Sequence, residues 1–149
     1  MVKPLPTLAG FQTFVTDIMQ IPEAALPSGS PVIGYAFETA CAIVLKQIQG
    51  ISPFLYEVAV YNLAASILIQ YAPDQPGQTY FADYRKAHGI GIFTPGIIQS
   101  SSDSGTAQSW MIPEALKNLS LADLQNLKNP YGLAYLQIAQ SYGAIWGLT

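Results

Sequence analysis

Charge is what this chain has least of. Six Lys and Arg and nine Asp and Glu occur among 149 residues, so charged side chains make up 10% of it, against about a quarter in average chains. Half of the residues are apolar. Either uncharged polar groups replace the missing charge, or much of the surface faces other protein, where charged residues are depleted. The distribution along the chain favours the second. Basic residues are too few and too scattered for a surface that neutralises phosphates, and the net charge is −3, which argues against nucleic-acid capture. The single Cys41 excludes an internal disulfide, and its apolar neighbours in 40–45 predict a buried, inert thiol. The opening Met-Val-Lys-Pro-Leu-Pro has no apolar segment of signal-peptide length, so secretion is not indicated. Long clean apolar runs are also missing. The best membrane candidate, 53–72, contains Glu57, Asn62, Ser66 and Gln70, and 31–48 is broken by Glu38 and Lys46. A spanning helix needs about 20 predominantly apolar residues, so both segments are expected to be helices buried in protein, with no membrane partner.

The chemistry of catalysis is equally sparse. One His and one Cys, no phosphate-cradling loop with Lys and no paired metal ligands leave no nucleophile, base and orienter set. Gly89-Ile90-Gly91 lacks the third glycine of a dinucleotide fingerprint. The nine acids are scattered and mostly alone, so no spacing places two in one cleft. No enzyme activity, cofactor or metal is expected, and no fixed internal repeat suggests a solenoid.

What is present is helix punctuation. Ser30-Pro31, Ser52-Pro53 and Asn129-Pro130 each pair a capping side chain with a proline at the first helical position, which gives up a donor that has no partner there. Ser120 adds a fourth start, with Asp123 at the capping-box position and Leu119 and Leu124 as a hydrophobic staple. A first helix is predicted over 7–20, with Phe11, Phe14, Val15, Ile18 and Met19 on one side. A second runs over 31–49 to Gly50, and a third over 53–71, ending before Pro73. In the third, Phe54, Val58, Tyr61, Ala65 and Leu68 form one stripe and Leu55, Ala59, Leu63 and Ile67 another, so it should be buried on all sides.

Asp74-Gln75-Pro76-Gly77 is a turn, and 79–87 a short helix with the densest charge, Asp83, Arg85, Lys86 and His88. That cluster is either a polar interface or proton-transfer site, or a solvated helix end, and His88-Gly89 suits a helix terminus. Segment 90–109 lacks helical periodicity and is long for an interior connection. It is read as an extended arm or hairpin carrying Phe93, Ile97 and Ile98, which either meet another surface or pack on the chain's own core. Helical turns follow over 113–119, 121–128 and 130–142, with Gly143 as the stop. The tail 144–149 holds Trp146 and Leu148, either folded back or inserted in a partner's pocket, where Trp is a favoured anchor. The whole is expected to be one mainly α domain, a small helical bundle with an extended arm and a C-terminal docking tail.

This order of features resembles the head-to-tail adaptor, or connector, proteins of tailed bacteriophages. The resemblance lies in the opening helix that ends Asp17-Ile18-Met19-Gln20-Ile21-Pro22, the apolar helices 31–48 and 53–72, the glycine-bearing arm, and the Asn129-Pro130-Tyr131-Gly132 helix followed by Trp146-Gly147-Leu148-Thr149. It implies a structural virion protein: a dodecameric homo-oligomeric ring at the neck, between the portal and the tail or nozzle, assembled in the host cytoplasm, through whose lumen DNA passes without specific binding. It brings no catalytic residues. The candidate interface residues are then Phe93, Ile97, Ile98, Arg85, Lys86, Trp146 and Leu148. Two other classes remain open: a small helical ligand-binding module or enzyme with an apolar pocket between the second and third helices, anchored by Glu38 or Glu57, and a membrane-associated helical hairpin.

Overall fold

The computed structural model describes residues 5–90 and 126–142, and the backbone of 100–103 and 106–109. These residues are mainly helical, in the order α1 (Leu8–Thr13), α2 (Pro31–Ile43), α3 (Gln47–Ile51), α4 (Pro53–Tyr71), α5 (Tyr80–His88), strands β1 (Ser100–Asp103) and β2 (Thr106–Ser109), and α6 (Pro130–Ser141).

The centre is α4, whose bounds match those expected from sequence. Ser52 is extended and its Oγ accepts from the Leu55 N–H at 3.3 Å, with Pro53 completing the start. Tyr56 and residues 59–69 are buried, because α2 and α6 both pack along this helix and α3 and α5 also lie against it. Each aliphatic side chain buried there contributes roughly 1.5–3 kcal/mol. The all-round burial fails at both ends, where Phe54 is 57% and Tyr71 70% exposed, and Leu55 and Val58 are half-buried. By length and composition α4 is also apolar enough to cross a membrane, contrary to the expectation that no segment is. Within the fold, 56% of its apolar window is covered by protein.

Two boundaries differ from expectation. The second helix stops at Ile43 instead of continuing to Gly50: Val44 is extended, and α3 restarts at Gln47 and takes in Gly50. Across the break Val44 and Ile48 lie in the core while Lys46 and Gln47 are exposed. The first helix widens after Thr13 into a π-turn over Phe14–Ile18, with the Met19 N–H donating to the Phe14 carbonyl at 3.0 Å. The wider turn sets Met19 over the core with Phe11 and Val15, so Ile18, expected on that face, is 62% exposed. Gln20 then takes a left-handed φ of 55°, a conformation uncommon for a non-glycine residue.

Of the three Ser/Asn-Pro starts, Ser52 and Asn129 cap as expected and Ser30 does not. In the first turn of α2, Pro31 is exposed and Val32 half-buried, where water can reach a free N–H, and the buried Ile33 donates its N–H to the Ser30 carbonyl at 3.2 Å. Thr7 is a cap the sequence reading passed over, its Oγ1 accepting from the Gly10 N–H at 3.0 Å. Between α4 and α5, the Gln78 N–H donates to the Gln75 carbonyl at 2.9 Å around Pro76 and Gly77, and Gly77 has a φ of 80°. Those are the marks of a type II turn.

β1 and β2 pair antiparallel, Ser100 opposite Ser109 and Asp103 opposite Thr106. The expected arm residues Phe93, Ile97 and Ile98 lie outside the described residues. So do the predicted helices over 113–119 and most of 121–128, the Ser120 start with Leu119, Asp123 and Leu124, Gly143, and the tail with Trp146 and Leu148. Ile90, expected from sequence to open the arm, is buried and belongs to the hydrophobic core.

Candidate functional site

Of the seven candidate interface residues, Arg85 and Lys86 are within the described residues, and they part company. Arg85 turns inward. Its Nε donates to the Ile69 carbonyl at 2.8 Å and its terminal nitrogen to the Ala72 carbonyl, so the guanidinium satisfies the C-terminal end of α4, where a cation also suits the helix dipole. It lies 5.9 Å from the Phe81 ring centroid. Burial pulls its pKa below the ordinary value while Asp74 opposes that. Arg85 is therefore a joint between α4 and α5. Lys86, one residue on, is exposed.

The rest of the charged helix is also held locally. Asp74 accepts from the Phe81 and Ala82 N–H groups at 2.8 and 3.0 Å, capping α5 from the preceding turn, and Thr79 donates to Asp83 at 2.8 Å. At the other end Gly89 is left-handed with a φ of 65°, and the Ile90 N–H donates to the Arg85 carbonyl at 2.9 Å, the six-to-one bond of a Schellman stop. His88 stacks on Tyr84 at 4.2 Å between centroids. The proton-transfer option for this cluster finds no second acid or base aimed at His88 among the described residues; Nδ1 faces the Tyr84 carbonyl at 3.0 Å.

A contact across the chain locates the base of the segment between α5 and α6. Lys128 Nζ donates to the Gly89 carbonyl at 3.1 Å. The Lys128 side chain thus ties the start of α6 to the C-terminal stop of α5.

Beside that junction lies a buried cluster without any charge. Ser66 donates to Asn126 Oδ1 at 2.6 Å, Gln70 Nε2 donates to Ser66 Oγ at 2.8 Å, and Asn129 Nδ2 to the same oxygen at 3.0 Å. Asn129 Oδ1 accepts the Gly132 N–H at 2.8 Å. Among the described residues, no buried side-chain polar atom lacks a partner. The cluster docks α6 on α4 through hydrogen bonds, which buried polar groups require. Sequence reasoning saw Asn129 as a cap and Ser66 and Gln70 only as interruptions of an apolar run; nothing local in the sequence announces that they meet.

Tyr80 and Tyr84 on α5 and Tyr131 on α6 form a second joint. Burial raises the pKa of all three, and for Tyr84, with Tyr131 and Tyr80 adding to the effect, it is pushed up to about 12. They stay protonated at neutral pH. Cys41 is half-buried rather than buried; burial and then Glu38 raise its pKa, with Lys46 opposing, so little thiolate forms near neutrality.

The pocket expected between the second and third helices has no buried acid to anchor a ligand, since Glu38 is exposed and Glu57 half-buried. A cavity of about 120 Å³ opens instead beneath the π-turn. Val15, Ile21, Leu26 and Ile33, all buried, floor it, and Gln12, Thr16, Glu23 and Ser28 rim it. Among the described residues no three His, Cys, Asp or Glu side chains gather as metal ligands. Compared with known proteins, the chain matches no family model, no curated protein and no solved structure.

Proposed function

We propose that the chain is a non-catalytic assembly subunit: a ring-forming adaptor between portal and tail at a phage neck, acting in the virion after assembly in the host cytoplasm. The observation that carries the assembly part is apolar surface at one end of the bundle. Ile43, Ile51 and Phe54 are each more than half exposed, and they sit where α2 ends, α3 crosses and α4 begins. Such surface, with Lys46 the one cation in that stretch of sequence, is what protein contacts cover.

The ring, the portal, the tail or nozzle partner and the dodecameric count rest on the resemblance in sequence layout. In this proposal residues 91–109 form the arm and 144–149 the docking tail, and the clamp between Lys128 and Gly89 gives the arm a fixed root. An acidic chain with few cations suits a lumen through which DNA moves without sticking. The cavity of about 120 Å³ falls below the roughly 300–1,000 Å³ of small-molecule sites, which weighs against a metabolite-binding module.

Portal capture tests this proposal. The full chain should co-migrate with a portal ring on gel filtration, and removal of 145–149 should abolish that while helicity is retained. A full chain that never associates with a portal overturns the portal part of the proposal.

A further inference from the structure

An exposed apolar patch and an apolar segment of chain belong to the same end of α4, and the course of the helices brings them there. The patch holds Ile43 and Ile51, each more than half exposed, with Phe54 beside them. Its place follows from α2 running back along α4. Phe37 meets the Tyr61 ring at 6.5 Å, and burial and then nearby Cys41 raise the Tyr56 pKa, so α2 ends by the first turn of α4. The other helix on α4 runs the same way. Asn129, the cap of α6, donates to Ser66, and Asn126 bonds both Ser66 and Gln70, so α6 begins by the last turns of α4, where only Tyr71 lies beyond Gln70. A helix of 12 residues that packs along α4 must then run back toward Pro53. In keeping with that course, Tyr131 at its start meets Phe14, which rests on Tyr61. The helix rises about 18 Å over its length, and the way back from Ser66 to Phe54 is about 18 Å as well. α6 thus ends level with Phe54, with Tyr142 half-buried against the core. Residues 144–149 follow, with Ile145, Trp146 and Leu148 and no charge.

We propose that in the free subunit residues 144–149 lie over Ile43 and Ile51 of their own chain, with Trp146 on the patch. Six extended residues reach about 20 Å, enough to cross the end of α4. Attachment to α6 holds them there at a roughly millimolar effective concentration, which a separate copy does not reach in dilute solution. Covering the patch with an uncharged apolar segment takes both out of water. Of the other segments outside the described residues, 1–4 carries Lys3, and 91–125 is rooted at the opposite end of α4 by Ile90 and Asn126. The inference rests on the assembly reading and adds an order of events to it. Portal and patch draw on the same tail, so a portal that takes 144–149 bares Ile43 and Ile51 to a neighbouring copy where the ring forms.

Trp146 fluorescence and sedimentation velocity test the contact. Of the two Trp residues, Trp110→Phe leaves Trp146 as the reporter. In that background Ile43→Ser with Ile51→Ser should shift its emission to the red and increase its quenching by acrylamide, with the circular dichroism unchanged. Removal of 144–149 from the otherwise wild-type chain should bare the patch, so that the truncated chain self-associates at least about tenfold more tightly than the full chain, and the same two serines should reverse that. Trp146 emission and quenching that ignore the serine substitutions overturn the contact and assign the patch to 1–4, to 91–125 or to solvent. Protection of Trp146 that appears only as protein concentration rises makes the occupant another copy's tail and overturns it too, as does a truncated chain no more associated than the full one. A chain that no portal captures, but whose Trp146 depends on Ile43 and Ile51, overturns the portal role and leaves this contact standing.

Discussion

Two faces of α4 are joined to their neighbours by opposite means. Toward α1 and α2, Phe11, Phe14, Phe37 and Tyr61 gather with ring centroids 5.8–6.5 Å apart, and the only polar group involved, the Tyr61 hydroxyl, accepts from the Thr7 N–H at 3.2 Å. Toward α6, Ser66 and Gln70 meet Asn126 and Asn129 in a closed hydrogen-bonded cluster. The aromatic face depends on area and volume, and it is non-directional. The polar face depends on geometry: complete, it fixes one docking of α6, and incomplete, it leaves desolvated groups.

The largest expected effect breaks the aromatic side. Phe11 is fully buried and central to the cluster, so Phe11→Ala should cost about 3–5 kcal/mol in denaturant unfolding, whereas Phe11→Leu, which keeps more of the volume, should cost less. On the polar side Gly132 faces the Asn126 backbone, and a Cβ there would stand 2.3 Å from its carbonyl oxygen. Backbone cannot swing aside as a side chain does, so Gly132→Ala should lose roughly 1–3 kcal/mol. Gly34 in α2 meets nothing within 4 Å, and Gly34→Ala should gain about 0.5–1 kcal/mol from helix propensity. Equal outcomes at the two glycines would contradict the close approach. Next comes Ser66→Ala, which strips a partner from Asn126, Gln70 and Asn129 together and should cost about 1–3 kcal/mol. A loss no greater than at an exposed serine would show that the cluster is not closed.

The smallest effect probes the joint that links the two faces, where Tyr131 meets Phe14 edge-on. Burial raises the Tyr84 pKa from 10.0 to about 12, so the folded state holds its phenolic proton to higher pH than the unfolded chain does. Its contribution to stability is intact below pH 10 and declines as pH rises toward 12, since the unfolded state releases the proton first. Tyr84→Phe should flatten the loss of stability measured across that alkaline range. An unchanged slope would place Tyr84 in solvent.

The aromatic face was legible in the sequence and the polar face was not. Periodicity picks out Phe11, Val15 and Met19 because an apolar stripe repeats with the helix, and Ser52-Pro53 and Asn129-Pro130 mark starts because capping is local. Ile18 leaves the expected face because a π-turn changes the period midway, and α2 is shorter than the pattern suggests because nothing local marks Val44 as a break. Asn126 lies 60 positions from Ser66 and 56 from Gln70 in chain order, and only the fold brings them together. Arg85 illustrates the same limit: a cation in a charged helix reads as surface, yet its partners are carbonyls 13 and 16 residues earlier. The scarcity of charge also looks different in the folded chain. Part of it lies inside, where Ser66, Gln70, Asn126 and Asn129 satisfy one another without ions, and part lies on the surface, Ile43, Ile51 and Phe54 among it.

That surface is the ground for assembly, and absolute mass tests it most directly. Light scattering on the purified full chain, alone and mixed with a portal ring, should give a closed multiple of 16.0 kDa, either in the free protein or on the portal. A particle that remains at 16.0 kDa at every concentration, with and without the portal, would contradict the account.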